Sequence, residues 1–255
     1  MDKSLRGKVA LVTGGSRNIG RNVAMALATQ GADVVFTYRE REAEARRAVL
    51  ELQKLGVRAE ALQVDLTGTA QLPKLVDAFK NVLTRWQRAR FDILINNAGA
   101  LRLGSFEEIT EADIDHIYQT NYKSVYFLTQ QLGPLLEDGG RIVNLGSGTA
   151  RIAFGPLISY GPFKAALQSL TLYLASHFGG RGITVNAVAP GGLDDDFNAP
   201  LFERMPVARD YIIDNTALKR IGTPKDIGEV IAFLCSPQAG FISGAIVPID
   251  GGYHL

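Results

Sequence analysis

One arrangement constrains this chain more than any other. A short β-branched run, residues 8–13 (KVALVT), passes into a glycine-rich turn, residues 14–20, and then into a helical pattern over 21–30 that Gly31 closes. The run is apolar on both faces, as a parallel strand covered from two sides must be. The same alternation continues to the end of the chain. Strands are expected over 33–38 and 58–65, a charge-rich amphipathic helix over 40–55, and a helix over 70–87 that tolerates Pro73 only in its first turn. The second half predicts strands over 91–96, 141–145, 183–188 and 245–249. Its helices are expected mainly over 107–136, then over 157–178 and 225–234. Strands separated by helices imply a doubly wound, Rossmann-type α/β fold. The expected architecture is a parallel sheet between two helical layers, in a single domain spanning residues 1–255.

Bulk properties narrow the function. With 27 Lys and Arg against 26 Asp and Glu, the formal charge is +1, which gives no field for nucleic acid or an acidic membrane. The one cysteine, Cys235, excludes an internal disulfide, fits a reducing compartment and sits in an apolar run as a buried small hydrophobe. No apolar stretch spans a bilayer, and residues 1–8 lack the core of a signal peptide. A soluble, cytoplasmic protein without a metal is expected, acting on a small molecule.

The turn after the first strand is the first candidate site. Gly14, Ser16, Arg17, Asn18, Ile19 and Gly20 lie between a strand and a helix N-terminus. There, backbone N–H groups and the helix dipole favour a pyrophosphate. An NAD-binding unit places a carboxylate at the end of the second strand. Here that position is Tyr38, followed by Arg39. Arg39 and Arg17 suit a 2′-phosphate, so NADP(H) is expected in preference to NAD(H).

These residues resemble the short-chain dehydrogenase/reductase family in its compact single-domain branch, in the style of 3-oxoacyl-carrier-protein reductases. Thr13 to Gly20 is similar to the family's T-G-x-x-x-G-x-G, Asn96-Asn97-Ala98-Gly99 to N-N-A-G, Tyr160 to Lys164 to Y-x-x-x-K, and Pro190-Gly191 to P-G. Ser147 stands thirteen residues before Tyr160, and Asn121 lies in the helix after N-N-A-G. The resemblance covers nearly the whole chain and implies a site of Asn121, Ser147, Tyr160 and Lys164. It also implies that Lys164 holds the nicotinamide ribose, that Asn121 assists a water relay, that Asp65 and Leu66 border the adenine, and that Asn97, Ala98 and Gly99 border the ribose. The chemistry is coherent: Tyr160 and Lys164 share a helix face. A nearby ammonium is expected to lower the phenol pKa toward that of a general acid/base. Ser147 polarises the carbonyl, and the nicotinamide carries the hydride.

Three features depart from the pattern. Asn18 replaces the middle glycine and is expected to tolerate left-handed backbone. Pro162 requires the Tyr160 helix to start close to Tyr160. Residues 194–196 are three aspartates, with Asp195 standing roughly where the family often has a threonine. That run is expected to be mostly solvated loop; the sharper expectation is one carboxylate facing the site and selecting a basic or polyhydroxyl substrate. Residues 191–223, irregular in pattern, are expected to form a substrate-covering lid. Leu167, Leu170, Leu172, Tyr173 and Leu174 give the 157–178 helix an apolar face wide enough for an interface. By resemblance the protein is expected to be a homo-oligomer, a tetramer by preference. The expected activity is interconversion of a ketone and a secondary alcohol. The competing readings are enoyl reduction on the same fold and an NADP(H)-binding sensor or scaffold without turnover.

Overall fold

The computed structural model describes residues 3–255. Its first strand, β1 (Val9–Val12), is buried along its whole length. Ala10 and Val12 join a first core while Val9 and Leu11 join a second, as successive pleats require. β1 pairs in parallel with β2 (Asp33–Tyr38), Val9 against Asp33, and with β4 (Phe91–Asn96), Ala10 against Ile93. β3 (Ala59–Gln63), β5 (Leu136–Leu145), β6 (Thr184–Pro190) and β7 (Ile246–Ile249) complete a seven-stranded parallel sheet in the order β3-β2-β1-β4-β5-β6-β7. Because the sheet grows one way through β3 and the other way from β4, a crevice opens at the carboxyl ends of β1 and β4.

Helices cover both faces, giving the expected Rossmann-like architecture. α1 (Asn18–Thr29), α2 (Glu42–Gln53) and α9 (Pro224–Cys235) close the first core through Val23, Leu27, Leu52 and Ile231. α3 (Leu72–Arg85), α5 (Ser124–Leu132) and α6 (Gly161–Phe178) close the second through Phe79, Leu128 and Phe178. Phe79 meets Phe91 edge-on at 4.9 Å, a favoured aromatic geometry. Pro73 lies in the first turn of α3, and Cys235 is buried, both as expected. No helix among the described residues is long and apolar enough to cross a membrane.

Some expected boundaries move, for identifiable reasons. The segment 107–136 becomes helical only at α4 (Glu111–Tyr118), where Thr110 and Asp113 form a reciprocal capping box. A π-helical turn, Gln119–Lys123, links α4 to α5, and helix ends at Leu132 before Gly133 and Pro134. β5 starts five residues earlier than expected, with a register irregularity against β4 between Phe91 and Ile93. α6 begins at Gly161 rather than at 157, with Tyr160 as its N-cap and Pro162 in its first turn. There the missing N–H is not needed, so the constraint read from Pro162 holds. The segment 191–223 is less irregular than its sequence implied. It contains α7 (Ala199–Arg204) and α8 (Val207–Asp214), and packs Leu201 and Ala208 on Leu103 in a small third cluster.

Candidate active site

A cleft runs along the carboxyl ends of the strands. Its floor under β1 is built from backbone. Gly14 has φ +69° and donates its N–H to Thr37 Oγ1 at 3.0 Å. A methyl group on Gly20 would collide with the Gly14 carbonyl oxygen, so only glycine lets α1 start this close to β1. Asn18 has φ +49°, the left-handed backbone its identity allows. Thr13 Oγ1 accepts from the N–H groups of Asn97 (2.9 Å) and Ala98 (3.0 Å), while Asn97 Nδ2 donates to Thr13 O (2.8 Å). These bonds lock the ends of β1 and β4 together. The tying roles of Thr13 and Thr37 are not apparent from the sequence, because a threonine ending a strand satisfies β-propensity without further reason.

The expected cofactor residues assemble on this cleft. Gly14, Ser16, Arg17, Asn18, Ile19 and Gly20 line it from the turn. Tyr38 and Arg39 line it from the end of β2, and Asp65 and Leu66 from the loop after β3. Asn97, Ala98 and Gly99 follow β4, and Pro190 and Gly191 end β6. The two arginines already have acidic neighbours: Arg39 pairs with Glu40 at 2.9 Å, and Arg17 approaches Asp196 at 3.7 Å. Burial raises the Asp65 carboxyl, but hydrogen bonds from Thr67 and the charge of Arg39 outweigh it and hold the group below its ordinary range.

Ser147, Tyr160 and Lys164 also line the cleft. Ser147 Oγ lies 2.8 Å from Thr149 Oγ1, and its carbonyl accepts from Gln168 Nε2 at 3.0 Å, which fixes the loop after β5. Tyr160 O accepts the first α6 hydrogen bond, from Lys164 N at 3.1 Å, so both side chains leave the same face. The ammonium of Lys164 lies 5.4 Å from the Tyr160 ring centroid and donates to Leu145 O at 2.7 Å.

The electrostatics correct one expectation. Lys164 does not draw the Tyr160 phenol down within the protein's own field. Burial pushes the phenol above its ordinary value; the Ser147 hydroxyl opposes this, and the charge of Asp195 adds to it. Burial also drives the Lys164 ammonium down to about 7, which weakens it as a source of positive charge. Tyr160 is therefore held as the protonated phenol near neutral pH.

Asn121 is fully buried and does not line the cleft. It sits in the π-helical turn, where Nδ2 donates to Ala100 O (2.9 Å) and Ile117 O (3.1 Å). Its Oδ1 stands behind Gly99, beside the Lys164 ammonium's approach to the same residue. A single-turn widening of this kind often marks a functional position.

The aspartates of residues 194–196 separate. Asp194 and Asp196 are exposed, as expected of a solvated loop, and face Arg209 (2.8 Å) and Arg17. Asp195 instead lines the cleft. Sequence reading does not find the remaining wall: Leu101, Ile152, Phe154, Leu157, Phe197, Leu201, Ile212 and Tyr253. These side chains come from loops and from α7 and α8, where an apolar residue carries no periodic signal.

The sequence and the fold match known proteins along nearly their whole length. A family profile described as enoyl-(acyl carrier protein) reductase matches residues 14–254. The hydroxynaphthalene reductase-like protein Arp2 of Metarhizium brunneum is 36% identical over 261 residues, covering 98% of this chain and 96% of that one. The angucycline C-6 ketoreductase LanV, solved with bound NADP, superposes with a TM-score of 0.93 at 35% identity, covering 98% of this chain and 97% of that one. A short chain dehydrogenase from Burkholderia cenocepacia, in complex with NADP, gives a TM-score of 0.89 at 37% identity, covering 98% of each chain. The chain belongs to the short-chain dehydrogenase/reductase family, and is an oxidoreductase of that family.

Proposed function

We propose that the protein is an NADP(H)-dependent ketone reductase that prefers NADPH to NADH and acts on a bulky, largely apolar ketone. The observation that carries this reading is the convergence of Ser147, Tyr160 and Lys164 on one cleft, with the phenol held protonated as a proton donor. The glycine-built floor suits the dinucleotide, since a Cβ at Gly20 would fill the close approach of turn and helix. Bound NADPH supplies the hydride. Tyr160 holds the proton destined for the carbonyl oxygen, and Ser147 Oγ hydrogen-bonds that oxygen as charge develops on it. Lys164 orients the nicotinamide ribose. Asn121, buried behind Gly99, positions the Lys164 side of the site and supports its proton relay. Arg17 and Arg39 face the 2′-phosphate; Tyr38, Asp65 and Leu66 border the adenosine; and Asn97, Ala98, Gly99, Pro190 and Gly191 border the rest of the dinucleotide.

The chain works as one catalytic domain, with residues 191–223 as a lid whose apolar side chains face the substrate. The NADP-bound ketoreductase and the hydroxynaphthalene reductase-like relative support a reduced carbonyl as the reacting group. They also support an aromatic body for the substrate. A homotetramer in the cytoplasm fits this reading: Leu172 and Tyr173 on α6, the helix expected to pair through its apolar face, are exposed, as are Tyr126 and Phe127 on α5. Leu167 and Leu170 of the same apolar stretch are already buried within the subunit.

The test is NADPH consumption at neutral pH over a panel of aryl ketones. Turnover is expected with at least one bicyclic ketone. Tyr160→Phe should lower kcat by about 100-fold to 10,000-fold, the usual worth of a general acid, while leaving NADPH binding within a few-fold. NADPH binding by the wild type without turnover of any ketone, unchanged in Tyr160→Phe, would instead favour a cofactor-binding sensor.

A further inference from the structure

Three consecutive carboxylates lie in three different settings, and only the middle one turns inward. Asp194 and Asp196 are exposed and have arginine neighbours. Asp195 is half-buried on the cleft wall, and among the described residues no cation lies within ion-pair distance of it. Its Oδ1 accepts two hydrogen bonds from Asn198, from the backbone N–H at 3.0 Å and from Nδ2 at 2.8 Å. Those bonds fix the carboxylate in place. Phe197, the next residue but one after Asp196's neighbour Asp195, packs its ring 6.2 Å from that of Tyr160, so this stretch of the lid borders the reacting end of the cleft. Asp195 and Tyr160 line the same cleft, and the charge of Asp195 adds to the rise of the Tyr160 phenol.

We propose that Asp195 is a substrate-recognition residue, accepting a hydrogen bond from a hydroxyl on the aromatic body of the ketone. This rests on the ketone-reductase reading above. The argument is one of complementarity. The reacting carbonyl oxygen needs donors, and Ser147 and Tyr160 provide them. A carboxylate repels that oxygen and can serve only a donor elsewhere on the substrate. The cleft that Asp195 lines carries the apolar side chains of Leu101, Phe154, Leu157, Phe197 and Leu201, beside the polar groups of Thr149, Asn198 and Tyr253. The apolar side chains leave the hydroxyls of a polyhydroxyl chain unpaired along most of its length, and they penalise the desolvation of an ammonium. A phenol meets both demands, since its ring is apolar and it carries a single donor. A hydroxylated aryl ketone thus replaces the basic or polyhydroxyl substrate expected from the sequence.

The probes are α-tetralone, the isomeric phenols that carry one hydroxyl on its aromatic ring, and their methyl ethers. kcat/KM with NADPH is measured for the wild type, Asp195→Asn and Asp195→Leu. A hydrogen bond to a charged group is worth roughly tenfold to a hundredfold here. At least one phenol should therefore exceed its methyl ether by about tenfold or more in the wild type. That ratio should shrink in Asp195→Asn, whose amide oxygen still accepts, and fall to within about twofold in Asp195→Leu, which has no acceptor. Turnover of the whole set with no phenol preferred over its ether overturns the assignment and leaves the reductase reading intact. An equal loss on every ketone in Asp195→Leu, together with weaker NADPH binding, assigns Asp195 to the cofactor and also overturns it. If no ketone is reduced by the wild type, the reductase reading fails separately. Calorimetric binding of the phenols to the NADPH-loaded protein then decides, with weaker binding in Asp195→Leu supporting the assignment and equal binding overturning it.

Discussion

The two walls of the cleft are made differently. The wall under β1 and β4 is backbone: Gly14 and Gly20 allow close approach, Asn18 takes left-handed geometry, and Thr13 and Thr37 tie strand ends together through main-chain N–H groups. The wall over residues 191–223 is side chain: Phe197, Leu201 and Ile212 come from short helices and turns. Backbone geometry cannot be altered without altering the fold, so the first wall suits a ligand that never changes. Apolar side chains can be exchanged at small cost, so the second wall suits a ligand that differs among relatives.

The most demanding test of this contrast is a single methyl group. Gly20→Ala would drive a Cβ into the Gly14 carbonyl oxygen, a clash between backbone atoms that no rotamer relieves. Overpacking of this kind costs about 1–3 kcal/mol, and here the strain falls on the proposed phosphate cradle. NADPH affinity should fall by about 100-fold, the equivalent of roughly 2.7 kcal/mol, as read by reduced-nicotinamide fluorescence. Retention of wild-type affinity would show that the turn is not backbone-limited, and the contrast between the walls would collapse.

That contrast also explains what the sequence reveals. Gly14, Asn18 and Gly20 are legible because each answers to a backbone requirement that only one or two residue types satisfy, and Pro162 because it fits a helix only in the first turn. Tyr160 and Lys164 are legible as a pair because helix geometry turns a spacing of four into a shared face. Ser147 and Asn121 are legible only through family spacing. The π-helical turn that holds Asn121 leaves no trace in the pattern, since its residues have ordinary helical propensities. Phe154 and Phe197 are illegible as a wall because loop residues gain their neighbours only from the tertiary fold, and Ile212 because the two-turn helix α8 that carries it is too short to show a clear period. The direction of the Tyr160 shift is also lost, because the proximity of an ammonium can be read from spacing whereas burial cannot.

Lys164 stands where the two walls meet, and its burial has a measurable cost. Its folded pKa of about 7 lies below the ordinary 10.5. The unfolded chain therefore binds more protons between these values, and this group's contribution to stability rises with pH across that window and is lowest below about 7. Lys164→Met removes the penalty but leaves Leu145 O without its donor. The net gain should be on the order of 2 kcal/mol at pH 6. It should shrink steadily and change sign as the pH approaches the ordinary lysine value. Thermal melts of both proteins across that range would check it; a gain independent of pH would mean that packing, not charge burial, governs the position.

The smallest effect tests an ion pair that joins the two walls. Arg17, in the glycine-rich turn, faces Asp196 of the 191–223 segment at 3.7 Å, with both side chains well exposed. An exposed pair contributes little to stability, so Asp196→Asn should leave the melting temperature within about a degree. It also removes an anion that competes with a 2′-phosphate for Arg17. NADPH affinity should therefore rise by roughly twofold to fivefold at low salt, and the gain should fade toward 1 M salt as screening sets in. NADH, which lacks that phosphate, should bind unchanged. An equal gain for both dinucleotides would place the effect in lid closure rather than in phosphate recognition, and the side-chain wall would then govern cofactor binding as well as substrate.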